Sequence, residues 1–218
     1  MRELRDILRR AEALAAAGQP AVLATIVAVE GSAYRREGTR QLLEADGSAI
    51  GVLSGGCLEQ DLAERARAVL ASGLPALAVY DLRAPDEVLW GLGLGCGGKI
   101  TLLLEPLPPS APLAPPLAAL AEIARTRRPA TIETRFEGEL LLSERIDPPL
   151  RLWLAGAGRD ALPLARLADE LGWEVTVLDL RPTAAAAARF GASARYVELR
   201  PRDLERTLSP DPWTTAVV

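Results

Sequence analysis

The chain has 218 residues, 49% of them hydrophobic and 25% charged, and its formal net charge is −4. This composition is typical of a globular protein and excludes a disordered, collagen-like or fibrous chain. Because the balance of charge is acidic, we expect no nucleic-acid partner. The sequence contains no histidine, which excludes Ser-His-Asp and Cys-His catalysis, histidine-ligated metal sites and an imidazole base.

Residues 1–14 predict an amphipathic helix, because their apolar side chains recur at helical spacing. Acidic residues stand among the basic ones and there is no continuous apolar core, so this segment is not a signal peptide. No apolar run in the sequence reaches the roughly 18 residues of a membrane span. We therefore expect a cytoplasmic protein with reduced cysteines and no membrane partner.

Residues 1–105 are predicted to form an N-terminal mixed α/β domain that contains both cysteines. Its predicted elements are a strand over 20–30, a hairpin around 46–47, a helix over 58–70, and strands over 76–82 and 99–107. Gly73 and Pro75 end the helix.

Residues 106–149 are predicted to be a proline-rich linker and connecting segment. Six of the 17 prolines of the chain fall between Glu105 and Pro116, and such a run is extended and semi-rigid. A short helix over 117–126 and a hairpin around Glu137-Gly138 are expected to follow.

Residues 150–218 alternate strand and helix, which is the pattern of a parallel sheet with crossover helices. Strands are predicted over 151–156, 174–179, 195–199 and 213–218, and helices over 161–171 and 183–190. The fold class is therefore α/β, a mixed N-terminal domain followed by a Rossmann-like domain of parallel strands. Because the sequence stops inside its last strand, the second domain is expected either to be incomplete or to end on that strand.

Residues 156–161 match the dinucleotide fingerprint GxGxxG/A directly after a predicted strand. Gly156 permits the tight turn and Gly158 lets a pyrophosphate approach the backbone at the helix N-terminus. Asp179 ends the next strand, where an acid would accept a hydrogen bond from a ribose hydroxyl. Asp160 would repel an anion, so a nucleotide-shaped fold without a nucleotide is the alternative.

Both cysteines stand in glycine-rich turns. Cys57 follows Gly55-Gly56 and is predicted to lie in the first turn of a helix, where the helix dipole favours the thiolate. Cys96 lies among Gly95, Gly97 and Gly98, beside Lys99, the only lysine. Thiolates suit a soft metal or a sulfur-transfer step. The alternative is that each cysteine is a small buried hydrophobe.

Residues 31–40 place three arginines around a turn directly after a predicted strand. Arg35, Arg36 and Arg40 would suit a phosphate or a carboxylate, because guanidinium groups bind both in bidentate geometry. The alternative is a solvated basic loop paired with Glu37.

Four stretches of the sequence resemble the xanthine dehydrogenase accessory factor family (XdhC/CoxI), in the order and spacing of that family. They are GSAYRREGTR, GVLSGGCLE, GLGLGCGGKITLLLEPL and LWLAGAGRDALPLARLADELGWEVTVLDLRP. The resemblance implies a cytoplasmic chaperone without a catalytic residue. It would bind molybdenum cofactor (molybdopterin), hold it while an oxo ligand is exchanged for sulfur, and insert it into a xanthine-dehydrogenase-type molybdoenzyme. A molybdoenzyme client, a cysteine desulfurase and a second copy in a homodimer are the implied partners.

The resemblance also implies which residues bind the cofactor. In the N-terminal domain they are Gly31, Arg36, Gly38, Gly55, Gly56, Cys57, Glu59, Gly95, Cys96, Gly97 and Gly98. In the Rossmann-like domain they are Gly156, Gly158, Asp179 and Arg181. Cys57 and Cys96 are the implied metal ligands.

The sequence departs from the family pattern at three places. Tyr34 and Glu37 stand where the family commonly has proline, and Arg159 stands where histidine or proline is common. The resemblance also implies a chain that is short at its C-terminal end, beyond the fourth parallel strand. That departure puts a complete dinucleotide pocket in doubt.

Two other functions are open at this point. One is an NAD(P)- or flavin-dependent oxidoreductase that uses the fingerprint, with Cys96 or Lys99 as the proton donor. The other is a thiol redox or scaffold protein in which Cys57 and Cys96 oxidise reversibly, which requires Cα atoms within about 7 Å.

Overall fold

The computed structural model describes residues 2–83, 97–109, 113–181, 183–203 and 208–218. The chain divides into two compact units. We call Asp6–Ile146 the antiparallel unit, and Asp147–Val218 together with Met1–Arg5 the parallel unit. Within the described residues, no helix combines the length and the apolar character needed to cross a membrane.

The antiparallel unit is built on a five-stranded sheet in the order β3-β2-β1-β5-β4. Its elements in chain order are α1 (Arg2–Ala16, beginning in the parallel unit), β1 (Ala21–Glu30), β2 (Arg40–Glu44), β3 (Ala49–Ile50), α2 (Glu59–Ser72), β4 (Ala76–Asp81) and β5 (Lys99–Leu107). Every neighbouring pair in this sheet is antiparallel. These elements confirm the strands, the hairpin and the helices predicted for this part of the sequence, although β3 is shorter than predicted.

Residues of β1 alternate between the two faces of this sheet, as strand geometry requires. Val22, Ala24 and Ile26 pack with α2 in one core cluster, together with Leu102 and Leu104 of β5. Leu23 and Thr25 face the other side and are fully buried. Helix α2 ends at Gly73 in the left-handed conformation, the usual helix-terminating role of glycine.

Helix α3 (Pro115–Thr126) and the hairpin of β6 (Ala130–Phe136) and β7 (Glu139–Ile146) complete the antiparallel unit. The two strands turn at Glu137-Gly138, both with positive φ, which is the geometry of a tight hairpin. The predicted hairpin is therefore confirmed. Of residues 106–149, which are predicted to be a linker and connecting segment, the described residues up to Ile146 fall within this unit.

The parallel unit contains a four-stranded sheet in the order β10-β9-β8-β11, with every pair parallel. Its elements are β8 (Arg151–Ala155), α4 (Ala161–Glu170), β9 (Glu174–Asp179), α5 (Ala184–Phe190), β10 (Arg195–Glu198) and β11 (Thr214–Val217). Apolar residues of β8, β9, α4 and α5 form its core, among them Leu154, Ala165, Val177 and Phe190. This arrangement confirms the predicted α/β fold with parallel strands in the second half of the chain.

Candidate functional site

Two of the predicted motifs lie side by side in the antiparallel unit. We call residues 31–40 the arginine turn and residues 54–57 the cysteine turn. Arg35 of the arginine turn donates from Nε to the carbonyl oxygen of Val52, 2.9 Å away, just before the cysteine turn. The Tyr34 ring lies against Gly55, where a Cβ would be 3.9 Å from its Cδ2 and Cε2 atoms. The structure thus brings together two segments that are some twenty residues apart in sequence.

The two glycines that precede β5, Gly97 and Gly98, pack against the start of the arginine turn. A Cβ at Gly98 would come within 2.7 Å of the Glu30 carbonyl oxygen and would overlap the carbonyl of Ser32. Gly31 has a φ of +77°, and a Cβ there would lie 3.1 Å from the Gly97 oxygen. Glycine is therefore required at Gly98 by close backbone approach and is favoured at Gly31 by its backbone conformation. Three of the predicted site residues meet at this point.

A buried serine braces the cysteine turn. The Ser54 hydroxyl accepts from the backbone N–H groups of Gly56 and Leu58, each 3.3 Å away. It also donates to Glu59 Oε1 at 2.7 Å. The other oxygen of Glu59 accepts from the Leu58 N–H at 3.0 Å. The Glu59 carboxylate thus satisfies donors at the N-terminus of α2 and fixes the shape of the turn.

Cys57 lies just outside helix α2, which corrects the prediction that it occupies the first helical turn. Leu58 is the N-cap and the helix begins at Glu59. The reason is Gly56, whose φ of +108° reverses the chain before the helix. The thiol of Cys57 is free and half-buried. The two residues before Cys57 are Gly55 and Gly56, so no side chain covers the backbone beside the thiol.

The three arginines of the arginine turn have different environments. The Arg40 side chain is fully buried and pairs with Glu144 of β7, so it is neither a ligand clamp nor part of a solvated loop. The Arg36 side chain is exposed and makes no hydrogen bond or ion pair within the described residues. Glu37 accepts from the Val29 N–H at 3.0 Å rather than pairing with an arginine of this turn. Gly38 lies under the Glu144 carboxylate, which a Cβ at this position would displace.

Lys99 is engaged by Glu30, whose Oε1 lies 2.9 Å from its Nζ. Arg83 contacts the other oxygen of Glu30 at 3.1 Å. The Lys99 and Arg83 cations lower the pKa of Glu30 through hydrogen bonds and Coulombic attraction. Sequence proximity had placed the Lys99 charge beside Cys96. Gly95 and Cys96 lie outside the described residues, and among the described ones no three acidic or cysteine side chains cluster as metal ligands.

The parallel unit presents its own turn at residues 156–161. The strand order places the end of β8 next to β11, the point at which the order of parallel strands reverses and at which ligands bind in such sheets. Gly156 has a φ of +116°, and a Cβ there would meet no atom within 4 Å. Its N–H donates to the Leu178 oxygen at 2.8 Å. The Asp160 carboxylate, however, lies over Gly158, where a Cβ would overlap its Oδ1.

Asp179 ends β9 as predicted and is half-buried. The Tyr196 hydroxyl donates to its Oδ2, and the Arg181 backbone N–H donates to its Oδ1 at 3.0 Å. These two donors lower the pKa of Asp179. Arg181 contributes to the site through this backbone group, and its side chain is exposed.

Comparisons with known proteins decide the family. Residues 14–81 match the model of the XdhC and CoxI family, and residues 152–218 match that of the XdhC Rossmann domain. A relative from Bacillus subtilis (strain 168), which is named as a probable xanthine dehydrogenase subunit, is 32% identical over 92% of this chain and 72% of its own. The chain belongs to the XdhC/CoxI family.

Two further relatives agree with this assignment. The molybdenum cofactor insertion chaperone PaoD from Escherichia coli (strain K12) is 30% identical, over 84% of this chain and 60% of its own. A crystal structure of a xanthine dehydrogenase from Bacillus halodurans superposes with a TM-score of 0.77 at 29% identity. That match covers 96% of this chain and 73% of the other. The resemblance inferred from the sequence motifs is therefore confirmed, and with it the Rossmann-like assignment of the parallel unit.

Sequence reasoning missed three residues that shape the two sites of this XdhC/CoxI chain. They are Ser54, Tyr34 and Tyr196. Ser54 stands five residues before Glu59 rather than the three of a capping box, so its hydrogen bond to Glu59 had no local sequence signal. The positions of the two tyrosines depend on contacts between segments distant in sequence, so no local pattern indicates them.

Proposed function

We propose that this chain binds molybdenum cofactor, holds it while it is sulfurated, and inserts it into a molybdoenzyme of the xanthine dehydrogenase type. Family membership supports the proposal, since one relative is named as a molybdenum cofactor insertion chaperone and another as part of a xanthine dehydrogenase. The observation that carries it is the convergence of the arginine turn and the cysteine turn through Arg35, Tyr34 and Gly55.

The residues of the arginine turn and the cysteine turn suit the chemical groups of molybdenum cofactor. Molybdopterin carries a phosphate, and the exposed Arg36 guanidinium is a donor that the described residues leave uncommitted. Its molybdenum and dithiolene are soft, which suits a thiolate ligand such as Cys57. Gly56 has nothing within 4 Å of a built Cβ, so a ligand has space to approach the backbone beside this thiol.

Tyr34 supplies a flat apolar surface at the same place. Its side chain is 61% exposed, and one edge of its ring rests on Gly55. An exposed ring of this kind stacks readily on a flat heterocycle such as a pterin. We therefore propose that Tyr34 stacks on the pterin, with Cys57 toward the metal end and Arg36 toward the phosphate end.

We also propose a second thiol ligand, a sulfur donor and an oligomeric state for this chain. Cys96 is proposed as the second thiol ligand, because the residues that follow it, Gly97 and Gly98, pack against Gly31 and Ser32 of the arginine turn. The sulfur would come from a cysteine desulfurase, the partner that the family resemblance implies. We further propose a homodimer that works in the cytoplasm.

The alternative of an NAD(P)- or flavin-dependent oxidoreductase is less well supported by the parallel unit. Asp160 places a carboxylate over Gly158, where the pyrophosphate of a dinucleotide would lie. A carboxylate and a pyrophosphate are both negatively charged and repel each other. Asp179 retains lone pairs for a ribose hydroxyl, so NAD(P) binding there is a weaker proposal than cofactor binding in the antiparallel unit.

Delivery of the cofactor tests the proposed function. The chain would be loaded with molybdenum cofactor, freed of unbound cofactor, and mixed with a cofactor-free enzyme of the xanthine dehydrogenase type. We expect the client to gain activity from the loaded chain and little from the same amount of free cofactor. Equal activation by both would overturn the chaperone proposal, because the chain would then add nothing to diffusion of the cofactor.

A further inference from the structure

A cavity of about 340 Å³ lies in the antiparallel unit, at the end of the sheet away from the cysteine turn. It is bounded by the C-terminal half of α1, by the start of β1 and by the end of β5 with the prolines that follow it. Its walls are mostly apolar and include Ala11, Leu14, Ala21, Leu107, Pro108 and Leu113. Cavities that bind small molecules have volumes of about 300–1,000 Å³ and mostly apolar walls.

One carboxylate interrupts this apolar lining. Glu105 of β5 lines the cavity, and its Oε2 is buried without a hydrogen-bond partner in the described part of the chain. Burial raises the pKa of Glu105, and Arg40 opposes that shift only in part. Arg40 is directed instead to Glu144 and to the Gly38 oxygen. A carboxylate is costly to bury when one of its oxygens has no donor. Glu105 is the one charged residue among the described residues that line the cavity, so a cation placed beside its carboxylate would be stabilising.

We propose that this cavity binds a small organic amine, with its ammonium group against Glu105 and its apolar body along α1 and the proline segment. A single carboxylate in an apolar wall does not provide the several oxygen ligands that Ca²⁺ or Mg²⁺ requires. An anionic ligand would be repelled by the same carboxylate. A compound with an ammonium group and an apolar body would pair with the Glu105 carboxylate and contact the apolar walls.

The test uses benzylamine, benzyl alcohol and benzoate as probes of equal size, titrated into the full chain and followed by NMR chemical shifts. Three variants accompany the native chain. Glu105→Gln removes the charge, Ala15→Leu fills the cavity from α1, and Ala13→Leu adds the same volume at an exposed position of α1 that does not line the cavity.

We expect benzylamine to bind the native chain and Ala13→Leu saturably, with shifts at α1 and β5, and benzoate not to bind. Benzylamine should bind at least about tenfold more tightly than benzyl alcohol, since hydrogen bonds to charged groups are the stronger ones. Glu105→Gln should remove that preference, and Ala15→Leu should abolish binding of both probes. Absence of benzylamine binding to the native chain would overturn the proposal, as would equal binding of amine and alcohol. If Glu105→Gln fails to fold, the comparison of Ala15→Leu with Ala13→Leu and of the three probes still decides it.

Discussion

Arg40 on β2 and Glu144 on β7 form a buried ion pair that fastens the β6–β7 hairpin to the end of the arginine turn. The Arg40 side chain has no exposed surface, whereas that of Glu144 is 21% exposed. Arg40 also donates from Nη1 to the Gly38 oxygen at 2.9 Å. The hairpin, some hundred residues later in the chain, therefore helps to set the conformation of the turn that carries Arg35 and Arg36.

Removing one partner of this pair should be costly. We expect Glu144→Ala to lower the free energy of unfolding by about 3 kcal/mol, because it leaves a buried guanidinium without its counter-charge. Glu133→Ala on the same hairpin removes an exposed pair with Arg135 and should cost less than about 1 kcal/mol. Urea unfolding of the two variants measures both values, and equal losses would show that Arg40 does not depend on Glu144.

The two glycines of the cysteine turn should respond differently to a methyl group. Gly56 has a φ of +108°, so Gly56→Ala should strain the turn by about 1–3 kcal/mol. Gly55 lies outside the left-handed region, and a Cβ there makes an ordinary contact with Tyr34. Gly55→Ala should therefore change the free energy of unfolding by less than about 1 kcal/mol. Thermal unfolding compares the two, and a greater loss in Gly55→Ala would contradict the described conformation of the turn.

The sequence predicted most of the elements because their patterns are local. The small and β-branched residues of β1, the helical stripe of α2 and the strand–glycine–helix pattern before Ala161 each depend on neighbours within a few residues. Gly73 and the Glu137-Gly138 turn likewise carried their own signals. These features made both halves of the fold predictable.

The site was less predictable because several of its side chains pair with residues that are distant in the sequence. The sequence could not show that Arg40 is buried against Glu144, or that Lys99 pairs with Glu30 across neighbouring strands. It placed Cys57 in the first turn of a helix, whereas the chain turns at Gly56 with a positive φ and the helix begins only at Glu59. Charged residues near a turn look solvated until the elements that cover them are known.

Tyr196 should control the ionisation of Asp179. Its hydroxyl is the main cause of the lowered pKa of this carboxyl, followed by the Arg181 N–H. A lowered pKa in the folded state adds stability above the ordinary Asp pKa of about 3.9, which is lost as the pH falls through the lowered value. We expect Tyr196→Phe to raise the pKa of Asp179 toward its ordinary value, and the native chain to lose its advantage over the variant in acid.

An NMR titration of the Asp179 carboxyl carbon in the native chain and in Tyr196→Phe measures this directly. Tyr80→Phe is the matched control, because Tyr80 donates in the same way to Asp61 in the other unit. The control should leave the Asp179 titration unchanged. An unchanged Asp179 pKa in Tyr196→Phe would show that the hydroxyl does not determine it.

If Tyr34 stacks on the pterin, its ring and not its hydroxyl should matter. Tyr34→Ala should weaken retention of the cofactor by about 1–3 kcal/mol, the range for stacking of a base on an aromatic ring, whereas Tyr34→Phe should retain it nearly as well as the native chain. Equilibrium titration followed by quenching of pterin fluorescence gives both affinities. Equal weakening by both variants would instead indicate a hydrogen bond from the hydroxyl.

The most direct test of the central claim is co-elution of the purified chain with molybdenum cofactor from a desalting column, scored by the fluorescence of the oxidised pterin. The native chain would be compared with Cys57→Ser and Cys96→Ser, and NAD(H) would be run in parallel. We predict stoichiometric retention of the pterin by the native chain and weaker retention by each serine variant. No retention by a folded chain that binds NAD(H) would contradict the chaperone proposal and favour an oxidoreductase.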